Sequence, residues 1–244
     1  MPKELSQLRV LLAQIREDPE TRQEEYLQFV ARSGLLPEQI YPFDLFKTPT
    51  FDADILIGYD ALFIGGSSDA SVTQPERYPF VPSLCELLIF CRNQQFPVFA
   101  SCFGFQAAVV AFGGQVIVDR DRQELGTFEI QLSEEARQDV LLGDLPDRIW
   151  GVVGHQERAI QLPSGTTILA STPLCEYHAF RFIDSPFYAF QFHPEMAHTD
   201  LMVRLRRYRS RYIDDHEALA KIEEQLQATP EANSLIRKFL THFC

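Results

Sequence analysis

The chain has 244 residues, 45% of them apolar and 12% aromatic, and carries a formal net charge of -12 from 34 acidic and 22 basic residues. That length and composition fit a soluble globular protein with a sizeable core, and the acidic balance argues against a nucleic-acid or anionic-membrane footprint. Five scattered cysteines without a C-x-x-C pair suggest neither a disulfide framework nor a zinc site. The N-terminus lacks a signal core and no apolar run reaches the roughly 20 residues of a membrane span, so a cytoplasmic location is expected.

Leu8 to Ile15 is short and aliphatic, as a strand covered on both faces would be. Glu20 to Arg32 follows with Tyr26, Leu27, Phe29 and Val30 at helical spacing and Gly34 as a stop, and a strand over Ile40 to Phe46 completes a βαβ opening. Asp60 to Ile64 reads as a buried strand. It runs into Gly65-Gly66-Ser67-Ser68-Asp69, either an ordinary turn or a loop whose backbone approaches a ligand. Phe80 to Arg92 is an amphipathic helix on which Cys85 and Cys91, among Leu84, Leu87, Leu88 and Phe90, read as buried, inert thiols.

From Phe96 an apolar run stops at Ser101-Cys102 and resumes as a helix from about Phe103 to Phe112, which predicts a strand, a sharp turn and a helix. A side chain at such a turn stands above the sheet, and the backbone N–H groups behind it point at whatever binds there. Gly113-Gly114 ends the helix, and Gln115 to Val118, Thr127 to Leu132, Ile149 to Val153 and Thr167 to Ala170 read as strands. His155, in the pair Gly154-His155 among them, reads as a structural histidine. Tyr177 to Ile183 and Phe187 to Phe192 form a hairpin around Asp184-Ser185-Pro186 and end at His193-Pro194-Glu195, where Pro194 fixes an extended backbone. From Leu201 onward the pattern is helical and charged. Arg204, Arg206, Arg207, Arg209 and Arg211 read as a solvated face balanced by Asp214, Asp215, Glu217, Glu223 and Glu224, and Leu235 to Phe243 is amphipathic. The predicted organisation is one α/β domain over residues 1–200, with residues 201–244 a C-terminal helical extension packed on it.

Cys102 at a helix N-terminus would have its thiolate favoured by the helix dipole and by a nearby imidazole, for which His193 is the candidate. Glu195, two residues on in an extended segment, points the same way and would orient that imidazole. Attack on an acyl carbon also needs backbone donors for the oxyanion; the Phe103 N–H is one, and the Gly65-Gly66 loop would supply another. Two blander readings stand beside this one: Cys102 as a buried thiol, and His193-Pro194-Glu195 as a polar strand end. A metal site from His193, Glu195 and His198 is disfavoured, because Pro194 breaks the helix that H-E-x-x-H requires.

These residues resemble the class I glutamine amidotransferases, which use a Cys-His-Glu triad to hydrolyse glutamine. The family's elbow pattern Gly-x-Cys-x-Gly-x-Gln stands here as Ala100-Ser101-Cys102-Phe103-Gly104-Phe105-Gln106, and its second hallmark as Gln191-Phe192-His193-Pro194-Glu195, about ninety residues on. The resemblance spans about Leu8 to Glu195. It implies a three-layer, flavodoxin-like fold with a mostly parallel central sheet. It also implies that Cys102 attacks the side-chain amide of glutamine, His193 shuttles the proton and Glu195 orients His193. Gly66 and Phe103 would form the oxyanion hole, Gly65 would shape its loop, Gln106 would hold the amino-acid end of the substrate, and the backbone near Gln156 would contact it.

Three departures fall on the loops: Ala100 replaces the family's first glycine, Ser67-Ser68 follow the diglycine where a proline is common, and Gln156-Glu157 replaces a small-acidic pair. No synthetase segment fits in the C-terminal remainder, so the chain looks like a stand-alone member, similar to free-standing relatives of the glutaminase domain of GMP synthetase. The resemblance implies no cofactor. It implies glutamine or a γ-glutamyl compound as substrate and a synthase or other acceptor protein as a partner. A γ-glutamyl peptidase or hydrolase, and a non-catalytic regulatory protein of the same fold, are the alternatives.

Overall fold

A computed structural model describes residues 3–207, 222 and 224–244; Arg209, Arg211, Asp214, Asp215, Glu217 and Glu223 lie outside the described residues. In chain order the elements are β1 (Val10–Gln14), α1 (Pro19–Ser33), β2 (Ile40–Asp44), β3 (Ala61–Ile64), α2 (Phe80–Asn93), β4 (Val98–Ser101), α3 (Phe103–Ala111) and β5 (Gln115–Val118). They continue with β6 (Glu124–Leu132), β7 (Arg148–His155), β8 (Glu157–Gln161), β9 (Thr166–Ser171), β10 (Ala179–Phe182), β11 (Phe187–Phe190), α4 (His198–Arg207) and α5 (Pro230–Phe243). Short 3-10 turns lie between several of them.

Nine strands form one sheet in the order β2-β1-β3-β4-β11-β10-β9-β6-β7. The first five are parallel neighbours, and from β11 onward each pair is antiparallel. Directions alternate back twice across that second half, so seven of the nine strands share one sense and the sheet is mostly parallel. β5 and β8 pair separately as an antiparallel ribbon.

The apolar strands are continuous rather than alternating because both faces of the sheet are covered. In β3, Leu62 and Ile64 enter one core while Ala61 and Phe63 enter the other; in β4, Val98 and Ala100 part from Phe99 in the same way. Residues of α2 and α3 fill the first core and residues of α1 and α5 the second, giving three layers. The fold is therefore the α/β, flavodoxin-like arrangement expected from the sequence.

α1 opens with Pro19 in its first turn and with Asp18 accepting the Thr21 N–H at 2.8 Å, and it ends at Gly34 in the left-handed conformation, φ 76°. Its buried face differs from the one predicted. Leu27 is 50% exposed, whereas Glu25 is fully buried, because this helix runs over a polar part of the site described below. Arg204 also departs from the expected solvated face, being buried on α4, where it lines a small cavity together with His193. Cys91 is buried as expected, but Cys85 is only partly so.

α5 docks through Leu235, Ile236, Phe239 and Leu240, and the Phe239 ring sits edge-on to Phe99 of β4 at 5.4 Å. The aromatic run Phe63, Phe99 and Phe190 continues that contact through the sheet. Phe239→Ala is expected to remove about 3 to 5 kcal/mol of stability, as other buried Phe truncations do. Denaturant unfolding checks this, and a variant as stable as the parent would mean that α5 is not part of the core.

Candidate active site

β4 and β11 pair in parallel with Ser101 opposite Phe190, so the two chains leave the sheet side by side at one rim. Cys102 is the next residue, and its N–H donates to the Phe190 carbonyl at 2.7 Å. There the backbone turns sharply into α3, with Cys102 at φ 49° and ψ -98°, a strained conformation that costs on the order of 1–3 kcal/mol. Such a turn is tolerated only where the surroundings hold it, and here Gly104 helps. A Cβ at that position would lie 2.9 Å from Ile64, so only glycine lets α3 pack this closely on β3. The Phe103 N–H, in the first turn of α3, has no intrahelical acceptor.

Beyond β11 the chain passes through Gln191 and Phe192 to His193, whose N–H donates to the Val152 carbonyl of β7 at 2.8 Å. His193 Nδ1 lies 2.7 Å from Glu195 Oε1, leaving the other ring nitrogen for Cys102, which is close enough to act electrostatically on the imidazole. Both His193 and Glu195 are buried. Asn233 of α5 donates through Nδ2 to the carbonyls of Pro194 (2.8 Å) and Met196 (2.9 Å), so the C-terminal helix pins the turn carrying the imidazole and its carboxylate. Nothing in the sequence around Asn233 distinguishes it from the other polar positions of an amphipathic helix.

The diglycine loop approaches from β3. A Cβ on Gly66 would fall 2.7 Å from His193 Cε1 and 3.3 Å from Cys102 Cβ, so its backbone lies against both residues. The Gly66 N–H donates at 3.2 Å to Oε1 of the buried Glu25, which also accepts from Arg16 Nε at 2.9 Å, while Glu25 Oε2 accepts from Gln14 Nε2 at 3.2 Å. Gly65 donates to the Ala13 carbonyl, and its own carbonyl accepts the Gly104 N–H. The amide expected to serve an oxyanion is thus engaged by a carboxylate of α1 in this structure.

Cys102 opens onto a cleft of about 440 Å³ whose lining includes Ser68, Ser71, Tyr78, Gln106, His155, Gln156 and Glu157. Gln106 is buried and braced, donating to the Glu157 carbonyl (3.1 Å) and to Gln191 Oε1 (3.3 Å). Gln156 is exposed on the wall, and its carbonyl accepts the Asp119 N–H. The Glu157 carboxyl, 2.5 Å from Ser71 Oγ, is pushed up by partial burial, which that hydrogen bond opposes.

The family profile of glutamine amidotransferase class-I matches residues 39–206, more than half of the chain. The chain belongs to the class-I glutamine amidotransferase family. Among relatives, a subunit of the glutamine-hydrolyzing GMP synthase of Thermoplasma volcanium is 34% identical over 110 residues, 45% of this chain and 52% of that protein. The corresponding GMP synthase subunit from Methanocaldococcus jannaschii is 29% identical over 108 residues, 44% of this chain and 55% of that one. The chain spans about half the length of these two relatives. A solved glutamine amidotransferase from Thermotoga maritima superposes with a TM-score of 0.75 over 97% of this chain and 98% of its own, at 19% identity, a likeness of fold.

For this class-I amidotransferase domain, Cys102, His193, Glu195, Gly65, Gly66, Phe103, Gln106 and Gln156 all come together at the sheet rim. Glu25, Glu124, His178 and Asn233 support that rim without any signal in the sequence that marks them for it. Burial pushes the thiols of Cys85 to about 11 and of Cys91, Cys175 and Cys244 to about 12, which leaves them inert at neutral pH.

Burial alone would lower the pKa of His193, but the charge of Glu195 and the contact with Cys102 outweigh it and hold the imidazole up at about 9. For Glu195, burial would raise the carboxyl, and the His193 charge pulls it below its ordinary value. The raised imidazole stabilises the fold in full below its ordinary 6.5, and that contribution is lost as pH rises through about 9. The depressed carboxyl contributes above its ordinary 4.5 and loses its share as pH falls through the lowered value. Glu195→Gln should therefore lower the thermal midpoint by more at about pH 6 than at about pH 10, where His193 is neutral in both proteins. A deficit that does not change with pH would assign His193 an ordinary pKa.

Proposed function

We propose that this chain is a glutamine amidohydrolase that uses Cys102, His193 and Glu195 to release glutamate and ammonia. The observation that carries the reading is the joining of a strained cysteine elbow, φ 49°, to an imidazole braced at 2.7 Å by a buried carboxylate. Cys102 Sγ attacks the side-chain amide carbon of glutamine, and His193, which carries the proton displaced from Cys102, gives it to the departing ammonia. A γ-glutamyl thioester results. Water, deprotonated by His193, attacks that thioester, and the proton returns to the Cys102 sulfur as glutamate leaves.

Glu195 holds the imidazole in the tautomer this relay needs, with Nδ1–H on the carboxylate and the other nitrogen toward sulfur. The Phe103 N–H faces the developing oxyanion. For Gly66 to add a second donor, its peptide has to turn away from Glu25, a step that substrate or a partner would drive. Gln106 and the backbone around Gln156 form the wall beside the amino-acid end of the substrate.

Relatives that are themselves subunits of glutamine-hydrolyzing GMP synthases support an acceptor protein as the destination of the ammonia. No helix of the described residues is long and apolar enough to cross a membrane. The five cysteines, all free, fit a reaction in the reducing cytoplasm, and the relay above uses no cofactor. A second reading, hydrolysis of γ-glutamyl conjugates, is favoured by the extent of the cleft, which runs past Cys102 to Gln74, Arg77 and Tyr78.

Cys102→Ala is expected to reduce kcat for glutamate release by about 10⁴-fold or more while leaving the unfolding midpoint unchanged. Undiminished turnover in that variant would overturn the assignment. The ratio of kcat/KM for glutamine to that for γ-glutamyl dipeptides separates the two substrate readings, since a preference for the dipeptides selects the second.

A further inference from the structure

The cleft wall of Gly154, His155, Gln156 and Glu157 rests on a buried polar cluster that the chemistry above does not use. At its centre is Glu124, 1% exposed. Its Oε2 accepts from His155 Nε2 at 2.9 Å and from His178 Nε2 at 2.6 Å, and its Oε1 accepts from Thr172 Oγ1 at 2.7 Å. Glu124 and His155 face each other across β6 and β7, Thr172 follows β9, and His178 precedes β10. One carboxylate therefore ties four strand ends at the rim where Cys102 emerges.

The group stays ionised: burial alone would raise the carboxyl, but the bonds from His155, His178 and Thr172 hold it down at about 2. Burial pulls the pKa of His178 down, so its imidazole is neutral and serves as an N–H donor. Cys175 lies close enough to join these side chains around a metal ion, and the donor chemistry decides against that arrangement. Both Nε2 atoms face one carboxylate oxygen, which requires a proton on each, whereas a metal needs the lone pair. Their Nδ1 atoms have no partner among the described residues, whereas a metal-bound imidazole donates its second N–H to another group. Cys175 keeps its proton and donates to the Tyr177 carbonyl at 3.6 Å.

Both histidines lead back to the nucleophile. The Gly154 carbonyl, next to His155, accepts from Cys102 Sγ at 3.9 Å, and the Glu157 carbonyl holds Gln106. The His178 carbonyl accepts the Gln191 N–H at 2.8 Å, and the Gln191 side chain reaches Cys102 Sγ at 3.8 Å.

We propose that Glu124, with His155 and His178 as its donors, is a positioning unit that sets the 154–157 wall against Cys102 and thereby fixes the affinity of the cleft for its substrate. It rests on the reading of that cleft as the glutamine site. Because His178 acts only as a neutral N–H donor, a glutamine amide at the same position does the same work and a leucine does not.

The test compares the parent protein with His178→Leu, His178→Gln and Thr172→Val. It measures glutamate release from glutamine, protection of Cys102 by glutamine against iodoacetamide, zinc content and the thermal midpoint. His178→Leu should raise KM about tenfold with kcat within about threefold of the parent, as loss of a hydrogen bond to a buried charge acting on binding would. His178→Gln should restore KM to within about threefold, a rescue that a merely space-filling role would not give. Thr172→Val should raise KM in the same direction and carries the test if His178→Leu does not fold. An unchanged KM, a loss confined to kcat, a failure of His178→Gln to rescue, or one zinc ion per chain would each overturn the proposal. A parent protein that neither turns over glutamine nor is protected by it refutes the functional reading and this one with it. Protection of the parent that His178→Leu leaves unchanged refutes this one alone.

Discussion

β4 and β11 are separated by more than eighty residues of chain, yet they lie side by side in parallel with Ser101 opposite Phe190. Because parallel neighbours leave a sheet at the same edge, that register delivers Cys102 and the His193-Pro194-Glu195 segment to one rim. A slip of one residue in either strand would turn its phenylalanine, Phe99 or Phe190, out of one core and into the other. The pairing also supplies the Phe190 carbonyl to the Cys102 N–H, which helps to hold the strained elbow. Burial of the aromatic residues on these two strands therefore fixes the register, and the register fixes where Cys102 and the His193 imidazole meet.

Around that rim three carboxylates are taken fully or almost fully out of water, and each is held by donors rather than left alone. Glu195 takes the His193 imidazole, Glu25 takes Arg16, Gln14 and the Gly66 amide, and Glu124 takes His155, His178 and Thr172. A buried carboxylate without partners costs several kcal/mol, so each of these sites specifies its donors closely. Directionality, more than attraction, is what they contribute: apolar packing brings the strand ends together, and the carboxylates set which way each loop faces.

The strands of the parallel half and the elbow are legible in the sequence because their signals are local. An apolar run that stops at Cys102, and a strand that stops at Pro194, need only a few neighbouring residues to be read. Glu25 is not legible, since a glutamate among charges on an amphipathic helix carries no mark of the loop it will meet, forty residues later. Leu27 misleads for the matching reason: it has the spacing of a core residue but lies on the face turned to solvent. β8, Glu157 to Gln161, escapes a reading by pattern because it has two charged and then two apolar residues rather than an alternation, and its partner β5 stands outside the main sheet. His155 is structural, as its sequence context suggests, but its partner Glu124 lies thirty-one residues away, at the start of a strand whose apolar signal begins only later.

The two loops that flank Cys102 are braced for different behaviour. If the Gly66 N–H leaves Glu25, the carboxylate still accepts from Arg16 and Gln14, so release forfeits about one hydrogen bond to a charged group, on the order of 1.5–3 kcal/mol. Binding energy from a substrate or partner covers a cost of that size. Glu124 has no such reserve: its donors are three side chains from three strand ends, and removing one leaves a buried charge short of a donor. On the proposed mechanism the diglycine loop switches between Glu25 and an oxyanion, while the 154–157 wall stays where Glu124 puts it. Under that proposal the chemistry is gated at one loop and the substrate's contacts are fixed at the other.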